Sequence, residues 1–199
     1  GNLTNAGVLR DELVADGIRL GSTSDTEVIA ALIARDPAPL PEAVAATMQR
    51  LEGAYSVVAL VDGTLVTFRD PHGIRPLTLG RIDDDWVVAS ESCALDLIGA
   101  VVDRDVRPGE VLWLDETGIH SLQALPESRG ASCIFEHVYF ALPDSRLGGS
   151  EIHASRVRMG QRLAEEAPAD ADLVMPIPDS GTPAAIGFAK ASGIPYEEG

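Results

Sequence analysis

The spacing of apolar residues changes its period at Gly53, and that change restricts the chain to a layered α+β architecture. Before it, the spacing is helical. Leu9, Leu13 and Val14 share one face of a helix that Asn5 can cap and Gly17 can end. Ser24 and Glu27 stand at capping-box spacing, with the apolar stripe Val28, Ile29, Leu32 and Ile33 behind them. Pro37 and Pro39 interrupt the chain. Pro41 then suits the first turn of a third helix, with Val44, Met48 and Leu51 facing inward. After Gly53 the pattern is that of strands. Residues 55–61 and 65–68 flank Asp62-Gly63, a strong hairpin signal. Residues 74–79 and 86–89 read as two more strands, joined through Asp83-Asp84-Asp85. A short helix over 94–98 follows Ser90-Glu91-Ser92, its expected cap. Pro108-Gly109 opens a further hairpin of residues 111–114 and 119–122, turning at Glu116-Thr117-Gly118. Successive hairpins make antiparallel sheet, and helices grouped ahead of them form a covering layer.

A second change follows residue 125. Residues 126–131 have linker composition, and 133–141 form an apolar, aromatic run that spacing assigns to neither helix nor strand. Gly148-Gly149 is a flexible pair. Residues 154–166 read as a helix with Val157, Leu163 and Ala164 on its apolar face. Residues 173–177 read as a strand, and 182–191 as a helix closed by Gly193. A short apolar strand running into a helix begins an α/β unit with a parallel sheet. The domain boundary is expected between 126 and 170.

The formal charge is −16 and the sequence pI about 4.4, which argues against nucleic acid and anionic membranes as partners. A phosphorylated small substrate stays compatible, since it needs only a local pocket of backbone N–H groups and a few basic side chains. The 45% hydrophobic content supports a soluble globular core. No apolar run approaches the roughly 20 residues that span a bilayer, and no signal-peptide pattern opens the chain, so a cytoplasmic location is expected. The two cysteines, Cys93 and Cys133, suggest no disulfide framework. By themselves they read as small buried apolar residues.

Five segments, in order, carry a resemblance. They are Gly1-Asn2-Leu3-Thr4-Asn5, Ser22-Thr23-Ser24-Asp25-Thr26-Glu27, Arg69-Asp70-Pro71-His72-Gly73-Ile74-Arg75-Pro76-Leu77, Ser90-Glu91-Ser92 and Pro178-Asp179-Ser180-Gly181-Thr182-Pro183-Ala184-Ala185. Together they resemble amidophosphoribosyltransferase, the glutamine-dependent enzyme that opens purine biosynthesis. The resemblance implies an internal fragment of a larger enzyme. Its fold would be part of an α+β N-terminal-nucleophile hydrolase-type layered sandwich, followed by the first strand and helix of an α/β type I phosphoribosyltransferase domain. Residues 1–125 would be the C-terminal part of the glutaminase domain, 126–170 an interdomain connection and helix, and 171–199 the start of the phosphoribosyltransferase domain.

In that family an N-terminal cysteine attacks the glutamine side-chain amide with its own α-amine as base. An asparagine side chain and the backbone N–H of the next glycine stabilise the oxyanion. Gly1 matches that glycine. Asp25 matches the carboxylate that binds the α-amino group of glutamine, and a helix N-terminus favours such an anion. The same position also suits a plain first-turn acid. Neither Cys93 nor Cys133 can stand in for the nucleophile, so this polypeptide alone is expected to be inactive. The Arg69–Leu77 segment reads as framework, its turn held by Arg69 and Arg75.

In members with a four-iron four-sulfur cluster, a cysteine at the position of Cys133 is one ligand, with the others further along the chain. The intact enzyme would also use Mg. No cofactor is expected on this fragment, and Cys133 with His137 does not close a tetrahedral zinc site. Where the family commonly has Ala-Arg-Pro-Asp-Ser, this chain has Ala141-Leu142-Pro143-Asp144-Ser145, which removes an arginine. The family's acidic diphosphate-binding loop has no match here. The implied partners are glutamine and phosphoribosyl diphosphate, in a homo-oligomer. Two other readings are another class II glutamine amidotransferase, against which the 178–185 segment argues, and a noncatalytic degraded paralogue or binding module.

Overall fold

The computed structural model describes residues 1–126, 128 and 130–198. They divide into two compact units, Gly1–Ser90 with Asp103–Ser132, and Glu91–Val102 with Cys133–Gly199.

The first unit opens with β1 (Asn2–Leu3), α1 (Ala6–Ala15), α2 (Asp25–Arg35), α3 (Leu40–Met48) and β2 (Gly53–Ala54). Strand β1 pairs antiparallel with β2, Asn2 opposite Ala54 and Leu3 opposite Gly53. Asn5 precedes α1 but makes no side-chain cap. Its amide bridges back to the turn before β2, Nδ2 donating to Arg50 O at 2.8 Å and Oδ1 accepting from Glu52 N at 3.1 Å. Leu9 and Leu13 are buried as expected, whereas Val14 is 56% exposed. One step of about 100° around the helix carries it past the apolar stripe.

Next come β3 (Ser56–Val61), β4 (Thr64–Arg69), β5 (Thr78–Ile82), β6 (Asp85–Ala89), β7 (Val101–Asp105), β8 (Glu110–Asp115) and β9 (Gly118–Gln123). Asp62 and Gly63 both have positive φ, 48° and 83°, as the two-residue turn between β3 and β4 requires. One sheet has the order β3-β4-β8-β9, the other β6-β5-β7. The period of two sorts side chains between the layers. From β4, Val66 and Phe68 join the helix-facing core with Leu13, Val28, Val44, Met48 and Val111. On the other face Leu112 joins Leu77, Leu79 and Val106. The unit is therefore helices on sheet on sheet.

The strand expected over 74–79 starts only at Thr78. The preceding backbone is engaged elsewhere. The fully buried Asp70 carboxylate accepts N–H bonds from Tyr55, His72 and Ile74. Arg69 donates to the carbonyls of Gly73, Arg75 and Val106. Strand β7 has no counterpart in the sequence reading, because Val101-Val102-Asp103-Arg104-Asp105 does not alternate.

Glu110, at the start of β8, is fully buried. It accepts bonds from both Arg104 Nη atoms at 2.8 and 2.9 Å, Arg107 N at 2.8 Å, Arg107 Nη2 at 3.1 Å and Ser121 Oγ at 2.6 Å. Burial pushes its pKa up, but the bonds from Arg104, Ser121 and Arg107 outweigh burial and hold it at about 2. A depressed carboxylate pKa stabilises the fold above its unfolded value, and that stability is lost as pH falls toward the folded value. Glu110→Gln should therefore be less stable than the parent by about 3 kcal/mol near neutral pH. Urea melts between pH 7 and pH 3 should show the gap closing with acidification. A gap independent of pH would contradict this account.

The second unit holds α4 (Ser92–Leu97), a π-helical turn (Glu136–Phe140), the hairpin β10 (Arg146–Leu147) and β11 (Ser150–Glu151), then α5 (Ile152–Glu166) and α6 (Thr182–Ser192). Ala141, Leu147 and Ile152 form a small core. Gly160 and Gly187 let α5 and α6 approach closely. A Cβ at Gly160 would fall 1.8 Å from Ala184 O, and one at Gly187 2.0 Å from Val157 O. The inner face of α5 is Ile152, Ser155, Arg156, Gly160 and Ala164. Leu163, expected on it, is 53% exposed. The strand expected over 173–177 reduces to one parallel bridge, Val174 with Tyr196. Val174 N donates to Pro195 O at 2.8 Å, and Glu197 N to Val174 O at 3.1 Å. Parallel pairing across α6 is what a strand–helix–strand unit gives. Gly193, with φ 78°, ends α6 as expected. Among the described residues no helix is long and apolar enough to cross a membrane.

Candidate functional site

Asp25 is the first residue of α2 and is half-buried. Its Oδ2 accepts the backbone N–H of Leu3 at 3.0 Å. That bond joins the start of the helix to β1, two residues from Gly1. Gly1 itself lies against β2, where an added Cβ would meet Ala54 O at 2.4 Å. Only glycine lets the backbone come this close. Gly1 and Asp25 are thus brought into one corner of the first unit. Cys133 is a half-buried free thiol in the second unit.

The loop before Asp25 is held by side chains that sequence reasoning does not assign. Glu27, expected to complete a capping box with Ser24, turns its carboxylate back to the loop. It accepts from Gly21 N at 2.6 Å and from Ser22 N and Ser22 Oγ at 2.8 Å each. The Gly21 and Ser22 bonds hold its pKa below the usual carboxylate value. Ser24 Oγ accepts from Thr26 N at 3.2 Å rather than from the residue three positions on. Arg10, on α1, donates to Ser22 O at 2.7 Å and Ser24 O at 3.0 Å. Its three-residue spacing from Leu13 places it beside the buried stripe of α1, and that is the one signal available for it. Bonds from two helices therefore fix the loop that presents Asp25. A carboxylate at a helix N-terminus, fixed in this way, can pair with a substrate cation without reorganising.

A cavity of about 280 Å³ lies near the other end of α2, lined by Leu32, Arg35, Asp36, Pro37, Ala46, Thr47 and Arg50. Ten residues of helix separate it from Asp25, about 15 Å at 1.5 Å per residue. It is too far away to belong to the Asp25 corner.

Tyr55 lies in the core beneath β1 at 3% exposure, edge-on to Phe68. Burial, with the Asp70 charge adding to it, raises its phenol pKa. Among the described residues no three His, Cys, Asp or Glu side chains converge as a metal site. A four-iron four-sulfur cluster needs four converging thiolates, and the described residues hold two cysteines, Cys93 and Cys133.

Residues 1–97 match the model of a glutamine amidotransferase domain. Over its whole length the chain is 45% identical to an amidophosphoribosyltransferase of Mycobacterium bovis and 46% identical to one of Rhizobium etli. It covers 39% and 41% of those relatives. A solved glutamine phosphoribosylpyrophosphate amidotransferase from B. subtilis, complexed with ADP and GMP, superposes with a TM-score of 0.95 at 40% identity. All of this chain and 44% of that one are covered. Along its whole length the chain is similar to amidophosphoribosyltransferases. It spans about two fifths of the length of the curated relatives it matches.

Proposed function

We propose that the protein takes part in transferring the amide nitrogen of glutamine to phosphoribosyl diphosphate. With one water consumed, the products are phosphoribosylamine, glutamate and diphosphate. The observation that carries this reading is the Leu3 N–Asp25 Oδ2 bond, which sets a helix-N-terminal carboxylate against β1 inside a matched glutamine amidotransferase domain. Asp25 binds the α-ammonium of glutamine, with one oxygen committed to Leu3 and the other available. The Gly1 backbone N–H stabilises the oxyanion as the amide carbon becomes tetrahedral. Cys93 and Cys133 both lie within the chain, so neither has a free α-amine of its own to act as base. Residues 1–199 thus supply walls of the glutamine site rather than its nucleophile. The Val174–Tyr196 bridge around α6 supports reading residues 171–199 as the opening of a phosphoribosyltransferase domain.

The test is made on the full-length protein. Incubation with glutamine and phosphoribosyl diphosphate should release glutamate and diphosphate together. Glutamate release with no dependence of diphosphate on glutamine would assign the chain to another glutamine amidotransferase. Release of neither would leave a noncatalytic paralogue.

A further inference from the structure

The cavity at the far end of α2 lies wholly within the first unit, and its walls carry both signs of charge. They come from the last turns of α2 and α3 and the residues just past each helix. At about 280 Å³ the cavity far exceeds the roughly 15 Å³ that admits one water, and it falls just short of the ~300 Å³ at which drug-sized pockets begin. Its size suits a small metabolite.

Arg35 and Arg50 supply the positive charge. Arg35 Nη1 donates to Asp16 Oδ2 at 2.7 Å, and Arg50 Nη2 donates to Glu12 Oε2. Among the described residues each guanidinium makes that one bond, so most of its five donors stay open. Asp36 supplies the negative charge. Its Oδ1 accepts Ala38 N at 2.9 Å, and its Oδ2 has no partner among the described residues. It caps the C-terminus of α2, whose last carbonyls add to the negative potential. Thr47 lines the same cavity at 3% exposure, yet its hydroxyl has no partner among the described residues. Leu32, Pro37 and Ala46 complete the lining with apolar surface.

We propose that this cavity binds a free α-amino acid with a short, polar, uncharged side chain. The α-carboxylate pairs with Arg35 and Arg50, the α-ammonium with Asp36 Oδ2, and the side chain reaches the Thr47 hydroxyl over the apolar floor. Charge selects this class. A plain anion meets Asp36 and the negative end of α2. A plain amine meets two guanidinium groups. A neutral molecule covers both walls and pairs with neither charge. A zwitterion satisfies the two signs together. The site stands apart from Asp25 by the length of α2, so it goes beyond the proposed reaction and does not rest on it.

The experiment titrates the full-length protein by calorimetry with L-serine, L-threonine, acetate and methylammonium, with no glutamine or phosphoribosyl diphosphate present. The two amino acids should bind with a Kd on the order of 1 mM, and acetate and methylammonium at least about fivefold more weakly. Asp36→Asn keeps an oxygen for Ala38 N but loses the charge. It should weaken the amino acids at least about fivefold while acetate binds as before or more tightly. Thr47→Val keeps the shape and should weaken the amino acids about threefold, with acetate within about twofold of wild type. Asp25→Asn should leave all four affinities within about twofold. The proposal is overturned if neither amino acid binds wild type, or if acetate binds as tightly as they do. Equal losses for acetate and the amino acids in Asp36→Asn also overturn it, since a fold defect gives that pattern. So does a loss in Asp25→Asn, which would place the probes in the glutamine corner instead.

Discussion

Asp25→Asn should raise the KM for glutamine of the full-length enzyme about ten- to a hundredfold while leaving kcat within a few-fold. The size follows from losing one hydrogen bond between charged partners, about 1.5–3 kcal/mol. The split follows from where that bond acts. The α-ammonium of glutamine is remote from the amide under attack, so its partner binds ground state and transition state alike, and its loss appears in KM. Asparagine is the informative replacement. Its oxygen can still accept the Leu3 N–H that Asp25 Oδ2 now accepts at 3.0 Å, so β1 and the loop keep their places. Asp25→Ala should raise KM further and lower Tm as well, because it also orphans that N–H. Steady-state glutamate release over a range of glutamine concentrations makes the measurement. A KM within threefold of wild type in Asp25→Asn would remove Asp25 from the glutamine site.

Gly160→Ala is expected to be the most damaging single-methyl change in the second unit. In an open helix the substitution would stabilise by about 1 kcal/mol through propensity alone. Here the new Cβ would lie 1.8 Å from the Ala184 carbonyl oxygen, a backbone atom that no rotamer change can move. The helices α5 and α6 must separate, which costs about 1–3 kcal/mol or more beyond that gain. Gly7 is the control. It sits in α1, and a methyl group added there would meet nothing within 4 Å, so Gly7→Ala should be neutral to stabilising. Amide hydrogen exchange separates the two expectations by place. Protection should fall over α5 and α6 in Gly160→Ala and stay unchanged or rise over α1 in Gly7→Ala. Undiminished protection of α6 would show that the helices have room to spare.

The hairpins are legible in the sequence because their information is local. Asp62-Gly63 sets both the turn and the register of β3 with β4, and Val66 and Phe68 alternate with Thr67 on either side of the sheet. The apolar stripe of α2 is equally plain, since Val28, Ile29 and Leu32 are all buried. What escapes a sequence reading depends on partners outside the local pattern. Glu27 and Ser24 have capping-box spacing, but the N–H groups of Gly21 and Ser22 reach the carboxylate first. The 74–79 strand is read too early because Asp70 and Arg69 hold the backbone up to Arg75 in a turn. Arg156 reads as part of a polar helix face and is among the most buried side chains, because its acceptors lie in and beside the π-helical turn, which neither sequence period describes. Of the site, the sequence offers Asp25 and Gly1 by resemblance. The residues that hold the loop before Asp25 carry patterns that name other roles: Arg10 stands three residues from Leu13, and Glu27 has capping-box spacing.

The excursion of Glu91–Val102 out of the first unit has a consequence for synthesis on the ribosome. These residues emerge well before the 133–156 segment that holds them. A helix as short as α4, Ser92–Leu97, has no stability of its own in water. It must wait as an unstructured loop, with Cys93 and Leu95, which the finished fold buries, still bare, while the surrounding strands assemble. The nascent chain therefore completes its first half around an unfinished loop, and a chaperone that shields this loop has its opportunity in that interval.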